Sequence, residues 1–128
     1  MANRLTNVPG ASAVFLAGLV TYDNEAKKTA LGVKAGSLVT HGAVSEAIAC
    51  EMAEGARNRH DATYALSATG IAGPGGGTLD KPVGTVHIAL ATSEITRSTT
   101  HHNFFERETF KFITSQQALE LLRCELLK

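Results

Sequence analysis

The sequence lacks an excess of charge of either sign, since 12 Lys and Arg residues balance 12 Asp and Glu residues among 128. A nucleic-acid-binding domain normally carries a basic excess and a membrane-surface protein a basic cluster, so we expect neither partner. The longest apolar run, Ala13 to Val20, is interrupted by Gly18 and is too short to cross a bilayer. No signal segment follows the first residues, and we therefore expect one cytoplasmic domain.

Cysteine is also scarce, and Cys50 and Cys124 do not form a CxxC pair. In a cytosolic protein two such distant cysteines are expected to be reduced and buried, not bridged. The five histidines show no metal-ligand spacing, and the adjacent His101 and His102 would point to opposite faces of a strand. We therefore expect no metal site.

The first half of the sequence predicts a strand followed by two helices. The apolar run Ala13–Thr21 is typical of a strand that is covered on both faces. Asn24 predicts a helix that starts at Glu25, and Gly32 predicts its end. Ser45 predicts the start of a second helix. Its apolar stripe comprises Ile48, Ala49, Met52, Ala53 and Ala56.

The second half predicts three strands and a final helix. The strands are expected at Tyr64–Thr69, Val83–Ala91 and Ile95–Phe105, and the last two form a hairpin. The helix is expected from Glu106 to Leu127. Its predicted apolar face comprises Phe112, Leu119, Leu122 and Leu126. This order of elements predicts a three-layer α/β/α domain with a mixed sheet.

A serine and a lysine in the first third are candidates for nucleophilic chemistry. Ser12 ends a turn just before the predicted strand, where a hydroxyl can be a nucleophile if a base lies nearby. Lys27 falls in the first turn of the predicted helix after Asn24, where the helix dipole disfavours a protonated amine. A neutral lysine can act as a base in a Ser–Lys pair. The alternatives are a turn or capping serine and a solvated lysine.

Two further places are candidates for ligand binding. The glycine-rich loop from Gly70 to Gly77 follows a predicted strand, and its N–H groups could surround an anion. Thr69, at the end of that strand, would present its hydroxyl to a pocket there. Arg107, at the start of the last helix, could clamp a phosphate or a carboxylate. The alternatives are a plain surface loop and a solvated helix-start arginine.

Five stretches in this order resemble the C-terminal domain family of CinA, the competence/damage-inducible protein. The stretches are Leu5–Ser12, Val20–Lys27, His41–Glu46, Thr69–Gly77 and Lys81–Val86. The resemblance implies the fold of that family. It also implies a nicotinamide-nucleotide amidohydrolase, which converts nicotinamide mononucleotide and water to nicotinic acid mononucleotide and ammonia without a cofactor.

The resemblance assigns expected roles to individual residues. Ser12 matches the nucleophile of the family and Lys27 matches its base. The expected substrate-binding residues are Tyr22, Thr69, Gly70, Gly73, Gly75, Gly76 and Arg107. The match at Arg107 is looser, because Phe-Glu-Arg stands where the family has Gly-Asp-Arg.

Members of the family normally have a further helix, a strand and a Glu-Ser-Cys-Thr-Gly-Gly turn before the region that resembles this chain. We therefore expect a single, N-terminally shortened domain over residues 1–128 that lacks the first strand and helix of the family. A sheet without one strand has an exposed edge, which predicts a homo-oligomer. The shortening also supports a second hypothesis, a non-catalytic module that binds pyridine nucleotides or acts in competence or damage regulation.

Overall fold

The computed structural model describes all residues from Met1 to Lys128. Five helices and three strands form the domain. In chain order they are α1 (Ala2–Thr6), a 3₁₀ turn (Ala11–Ala13), α2 (Asn24–Leu31), α3 (Ala35–His41), α4 (Glu46–Arg59), β1 (Ala65–Gly70), β2 (Thr85–Ala91), β3 (Thr96–His102) and α5 (Arg107–Leu126). No helix is both long and apolar enough to span a membrane.

The sheet has the order β1-β2-β3, and both of its strand pairs are antiparallel. Every residue of the central strand β2 is buried, because helices cover both faces of the sheet. Ala89 and Ala91 face α4, whereas Val86 and Ile88 face α5. The predicted α/β class with three layers is therefore confirmed. The sheet itself contains no parallel pair of strands.

The helix α4 begins as predicted. The Ser45 hydroxyl accepts a hydrogen bond from the backbone N–H of Ile48 at 3.3 Å and caps the first turn. Two sides of the helix are buried. Ala49 and Ala53 pack on the sheet, and Ile48 and Met52 pack against the end of α2.

The apolar face predicted for α5 is not the face that is buried. Phe110 and Ala118 pack on β2, and Thr114 and Ser115 are also buried. Phe112 and Leu126, which the sequence placed in the core, are exposed. The buried face carries small and hydroxyl-bearing residues because α5 lies close to the sheet. The helix α1 is a second neighbour of α5, beside Phe112. The Arg4 guanidinium lies over the Phe112 ring, 4.8 Å from its centroid.

The structure corrects the cap of α2 by one residue. Asp23, and not Asn24, accepts the hydrogen bond from the N–H of Ala26, at 2.6 Å. The predicted end at Gly32 is confirmed, since this glycine adopts φ 71°, in the left-handed region. The short helix α3 was not predicted, because its seven residues carry no side-chain cap and bury no residue.

The strand predicted over Ala13–Thr21 is wrong. Ala13 ends the 3₁₀ turn, and the chain beyond it pairs with no other strand. A strand needs a neighbour with which to form a hydrogen-bonded ladder, and this segment has none. A parallel pair, which a mixed sheet requires, is absent for the same reason.

Both cysteines are free, as predicted, but they are not both buried. Cys50 is partly buried, whereas Cys124 is exposed on α5. The Cys124 thiol lies beside Glu120, one helical turn earlier, so it faces solvent on the outer side of the helix.

Candidate functional site

Lys27 is a buried lysine in the first half of α2, only 6% exposed. With Asp23 as the cap, it is the fourth residue of the helical segment and not the third. Its Nζ donates to the carbonyl oxygens of Thr21 at 2.9 Å and Tyr22 at 3.3 Å, with that of Asp23 at 3.5 Å. The chain before the helix therefore turns its carbonyl groups toward the amine.

Burial lowers the pKa of Lys27 from the ordinary lysine value, because the charged form loses its hydration, and the Asp23 carboxylate offsets part of this effect. The three carbonyl acceptors hold a protonated amine well, but they carry no negative charge that would neutralise it. Lys27 therefore gives up its proton more readily than a lysine in solvent.

Arg107 connects two distant parts of the chain at the start of α5. Its Nη1 donates to the carbonyl oxygen of Gly73 at 2.9 Å, and its Nη2 donates to the phenol oxygen of Tyr22 at 2.8 Å. The planar guanidinium can make both bonds at once because its donors point in fixed, divergent directions. Three of the residues expected at the site are thus in direct contact.

Tyr22 joins this group to Lys27. Its carbonyl oxygen accepts from Lys27, while its side chain accepts from Arg107. Lys27, Tyr22, Arg107 and Gly73 consequently form one continuous network, which we call the Lys27–Arg107 network. Its members come from the start of α2, the start of α5 and the glycine loop after β1.

The glycines of the loop differ in how closely other atoms surround them. Gly73 has φ 77° and lies against Val83, whose Cγ1 would be only 2.5 Å from an added Cβ. Gly70 is enclosed by Thr85 and Val86 of the neighbouring strand. Gly75 has open space around it, and a Cβ added at Gly76, at φ 89°, would make only an ordinary van der Waals contact, with Ile71 at 3.7 Å. Room for a ligand therefore exists at Gly75 and Gly76, whereas Gly70 and Gly73 are required by packing.

Thr69 is buried, and its hydroxyl donates to the carbonyl oxygen of Ala43 at 2.7 Å. The hydroxyl proton is thus used to fix the turn before α4. Only the lone pairs of this oxygen remain for a ligand, so the expected contact of Thr69 with substrate stays a prediction.

Ser12 lies in the exposed 3₁₀ turn, immediately after Gly10 with its φ of 87°. It lines a shallow pocket between this turn and the end of α1, together with Thr6, Val8, Pro9, Gly10, Ala11 and Phe15. No hydrogen bond joins Ser12 to Lys27, whose Nζ donates to backbone carbonyls. The expected contact between Ser12 and Lys27 therefore stays a prediction.

A polar chain that the sequence did not reveal lies under α4. His87 Nδ1 is 2.9 Å from Thr100 Oγ1, and this hydroxyl donates to Glu46 at 3.0 Å. Because the single hydroxyl proton goes to Glu46, Nδ1 of a neutral His87 must be the donor to Thr100. His87 and Thr100 are paired across β2 and β3. Because this pairing is evident only once the strand register is known, the sequence alone could not predict the polar chain.

The sequence and the fold were compared with those of known proteins. The family model of the CinA C-terminal domain matches residues 1–126. A CinA-like protein of Geotalea daltonii is 50% identical over 127 residues, which are 99% of this chain and 31% of that protein. A CinA-like protein of Chloroherpeton thalassium is 60% identical over 93 residues, or 73% of this chain and 22% of that protein. The chain thus spans less than a third of these relatives.

Solved structures give the same result. The competence/damage inducible protein CihA from Agrobacterium tumefaciens superposes with a TM-score of 0.92 at 42% identity, over 96% of this chain and 76% of that one. The competence damage-inducible protein A from Klebsiella pneumoniae gives 0.94 at 33% identity, over 98% and 78%. The fold and the ordered stretches thus define an α/β domain of the competence/damage-inducible class. The chain belongs to the CinA C-terminal domain family.

Proposed function

We propose that the protein binds nicotinamide mononucleotide and hydrolyses its carboxamide, releasing nicotinic acid mononucleotide and ammonia. The observation that carries this proposal is the buried Lys27, with its lowered pKa, at one end of the Lys27–Arg107 network. A base of this kind suits an amide hydrolase, because it must accept a proton near neutral pH and return it to the leaving nitrogen.

In the proposed reaction, neutral Lys27 takes the proton of the Ser12 hydroxyl, and Ser12 Oγ bonds to the carboxamide carbon. The leaving nitrogen takes up the proton from Lys27 as the C–N bond breaks and departs as ammonia, and water then hydrolyses the resulting ester to the acid and free Ser12. This sequence requires Ser12 Oγ to come within hydrogen-bond reach of Lys27 Nζ, directly or through one water, and no direct hydrogen bond joins them in the structure.

The substrate phosphate has a candidate location at the other end of the network. Arg107 and the open backbone at Gly75 and Gly76 supply a positive charge and N–H groups. An anion placed there would lie within reach of the guanidinium without disturbing the packed Gly70 and Gly73.

One observation favours a second candidate, a module that binds the nucleotide without turnover. The Nζ of Lys27 already has three carbonyl acceptors, an environment that suits an ammonium group, and Ser12 is not among its partners. Under this alternative Arg107 and the loop bind the nucleotide, and Lys27 only stabilises the start of α2.

Ammonia release from nicotinamide mononucleotide distinguishes the two candidates. For an amidohydrolase, Lys27→Met and Ser12→Ala should each abolish turnover, and the double variant should be no worse than either single variant. Lys28→Met and Ser93→Ala are the matched controls, because Lys28 is partly exposed, Ser93 is exposed, and both lie outside the network.

Thermal denaturation with and without the nucleotide completes the test. Stabilisation by nicotinamide mononucleotide without any ammonia supports the binding module. If the nucleotide neither stabilises the protein nor is hydrolysed, both candidates are wrong.

A further inference from the structure

Asn103 is a buried polar residue in the short connection between β3 and α5, and only 5% of it is exposed. Its side-chain amide pairs with that of Gln117. Asn103 Nδ2 donates to Gln117 Oε1 at 2.8 Å, and Gln117 Nε2 donates back to Asn103 Oδ1 at 3.1 Å. Each amide has a donor side and an acceptor side, and this orientation satisfies both sides at once. The pair therefore fixes α5 in direction as well as in distance.

The backbone of Asn103 is bonded toward the glycine loop. Its N–H donates to the carbonyl oxygen of Gly84 at 2.8 Å, and the N–H of Gly84 donates to the carbonyl oxygen of Ile71 at 2.8 Å. Gly84 immediately precedes β2, and Ile71 lies two positions before Gly73. Asn103 is thus bonded to α5 through its side chain and, by way of Gly84, to the loop whose carbonyl oxygen at Gly73 accepts from Arg107.

Few other contacts give α5 a direction near its start. Phe110 and Ala118 pack on β2, but apolar contact attracts without selecting one orientation. The ion pair that Glu125 makes with β3 lies at the far end of the helix. The remaining bonds between α5 side chains and the strands or their loops are those of Arg107 itself and those that Asn103 makes.

We propose that Asn103 is a positioning residue of the candidate site. Through its amide pair with Gln117 it sets the rotation of α5, and the helix in turn aims the Arg107 guanidinium at the carbonyl oxygen of Gly73. Because a helix rotates as a rigid body, a turn at Gln117 is transmitted to Arg107, about 15 Å earlier along the axis. Asn103 is buried and acts through Arg107, not by contact with a ligand. This role rests on the proposed binding of nicotinamide mononucleotide at Arg107.

Replacing both amides by leucine separates positioning from stability. A single change would leave one amide without its partner, whereas Asn103→Leu/Gln117→Leu removes donor and acceptor together and should change Tm little. The apolar pair no longer selects an orientation, so titration calorimetry should show nucleotide binding at least about fivefold weaker. Glu125→Ala, which removes a polar contact at the far end of the same helix, should stay within about twofold of the wild type. A double variant that folds and binds like this control overturns the proposal.

Gln117→Met provides a second variant that does not depend on the folding of the first. Position 117 is only partly buried, and methionine is of similar length and a good helix former. The helix should therefore stay intact while Asn103 loses its partner, and the same weakening of nucleotide binding is expected. An unchanged affinity overturns the proposal.

An Arg107→Lys background shows whether the amide pair acts through Arg107. When the guanidinium is already absent, Gln117→Met should weaken nucleotide binding further by less than about twofold, because the two changes interrupt one route. Losses that multiply would mean that the amide pair affects the ligand by another route, which overturns the proposal.

NMR of the Arg107 guanidinium in the ligand-free protein separates the positioning role from the proposed function. Hydrogen bonds to Gly73 and Tyr22 slow the exchange of its N–H protons with water, and the signal is assigned by its absence from Arg107→Lys. Exchange should be faster in Gln117→Met and unchanged in Glu125→Ala. If the wild type does not bind the nucleotide, the proposed function is wrong. Unchanged exchange in Gln117→Met would overturn the positioning role, whether or not the nucleotide binds.

Discussion

Arg107 and Tyr22 lie 85 positions apart in the sequence, and a hydrogen bond of 2.8 Å joins the guanidinium of one to the phenol oxygen of the other. With the second bond of Arg107 to Gly73, this contact brings the start of α5, the chain before α2 and the glycine loop together. The Lys27–Arg107 network depends on this one arginine, so its removal should separate effects on binding from effects on folding.

Arg107→Lys should weaken binding of nicotinamide mononucleotide about tenfold, which corresponds to about 1.4 kcal/mol. A lysine presents one point charge and cannot bond to Gly73 and Tyr22 in the same geometry. Because Arg107 is exposed, the free energy of unfolding should fall by less than about 1 kcal/mol. Titration calorimetry and thermal denaturation measure the two effects. Arg123→Lys, in an exposed pair with Glu120, should change neither.

Lys27 should make stability depend on pH in the alkaline range. Its folded pKa is lowered from the ordinary 10.5, so between the folded value and 10.5 the unfolded chain binds more protons than the folded chain. The stability of the wild type relative to Lys27→Met should therefore rise as the pH increases through this window. Denaturant unfolding of both proteins at several pH values gives this difference. A difference that is constant with pH would contradict the lowered pKa.

Gly55→Ala should destabilise the protein, although alanine is the better helix former. An added Cβ at this position of α4 would overlap the backbone carbonyl of Leu31, and a backbone atom cannot move aside as a flexible side chain can. The expected loss is about 1–3 kcal/mol, or roughly 3–9 °C in Tm. Gly36→Ala in α3, where nothing lies within 4 Å, should instead raise Tm slightly.

His87 should titrate below the ordinary value of 6.5. Burial lowers the pKa of His87, the Glu46 carboxylate raises it in part, and Lys81 and His102 lower it further. Glu46→Gln should thus lower the pKa again, as NMR titration of the imidazole would show. The exposed Glu94 provides the control, since Glu94→Gln should leave this pKa unchanged. A rise in the Glu46→Gln variant would mean that the Glu46–Thr100–His87 chain is not formed.

Local signals predicted the parts of the fold that depend on neighbouring residues. Ser45 and Gly32 are a cap and a helix end whose geometry involves only the next few residues, and both were predicted. The alternation in β2 likewise shows a strand between two layers. The strand predicted over Ala13–Thr21 was wrong because a run of apolar residues does not by itself provide a neighbouring strand.

The candidate site was only partly predictable for a similar reason. The resemblance named Tyr22, Arg107 and Gly73, but their contact depends on how α5 begins beside the glycine loop. The expected proximity of Ser12 and Lys27 also depends on tertiary structure, and the hydrogen bonds of Lys27 go to its own preceding carbonyls. The prediction of the apolar face of α5 was wrong because Phe112 contacts Arg4 of α1, and helical periodicity gives no information about such a partner from another helix.

Where α4 meets the sheet, the fully buried part of the apolar contact consists of four methyl groups, those of Ala49, Ala53, Ala89 and Ala91, and the partly buried Cys50 packs against them. Alanine has no side-chain torsion, so these four residues cannot make room for a larger side chain by changing rotamer. The distance between helix and sheet is thus as rigid as the backbones themselves. A larger residue at any of these positions must displace α4 as a rigid body. The turn that Thr69 holds at Ala43 precedes this helix, so the displacement would reach the end of β1.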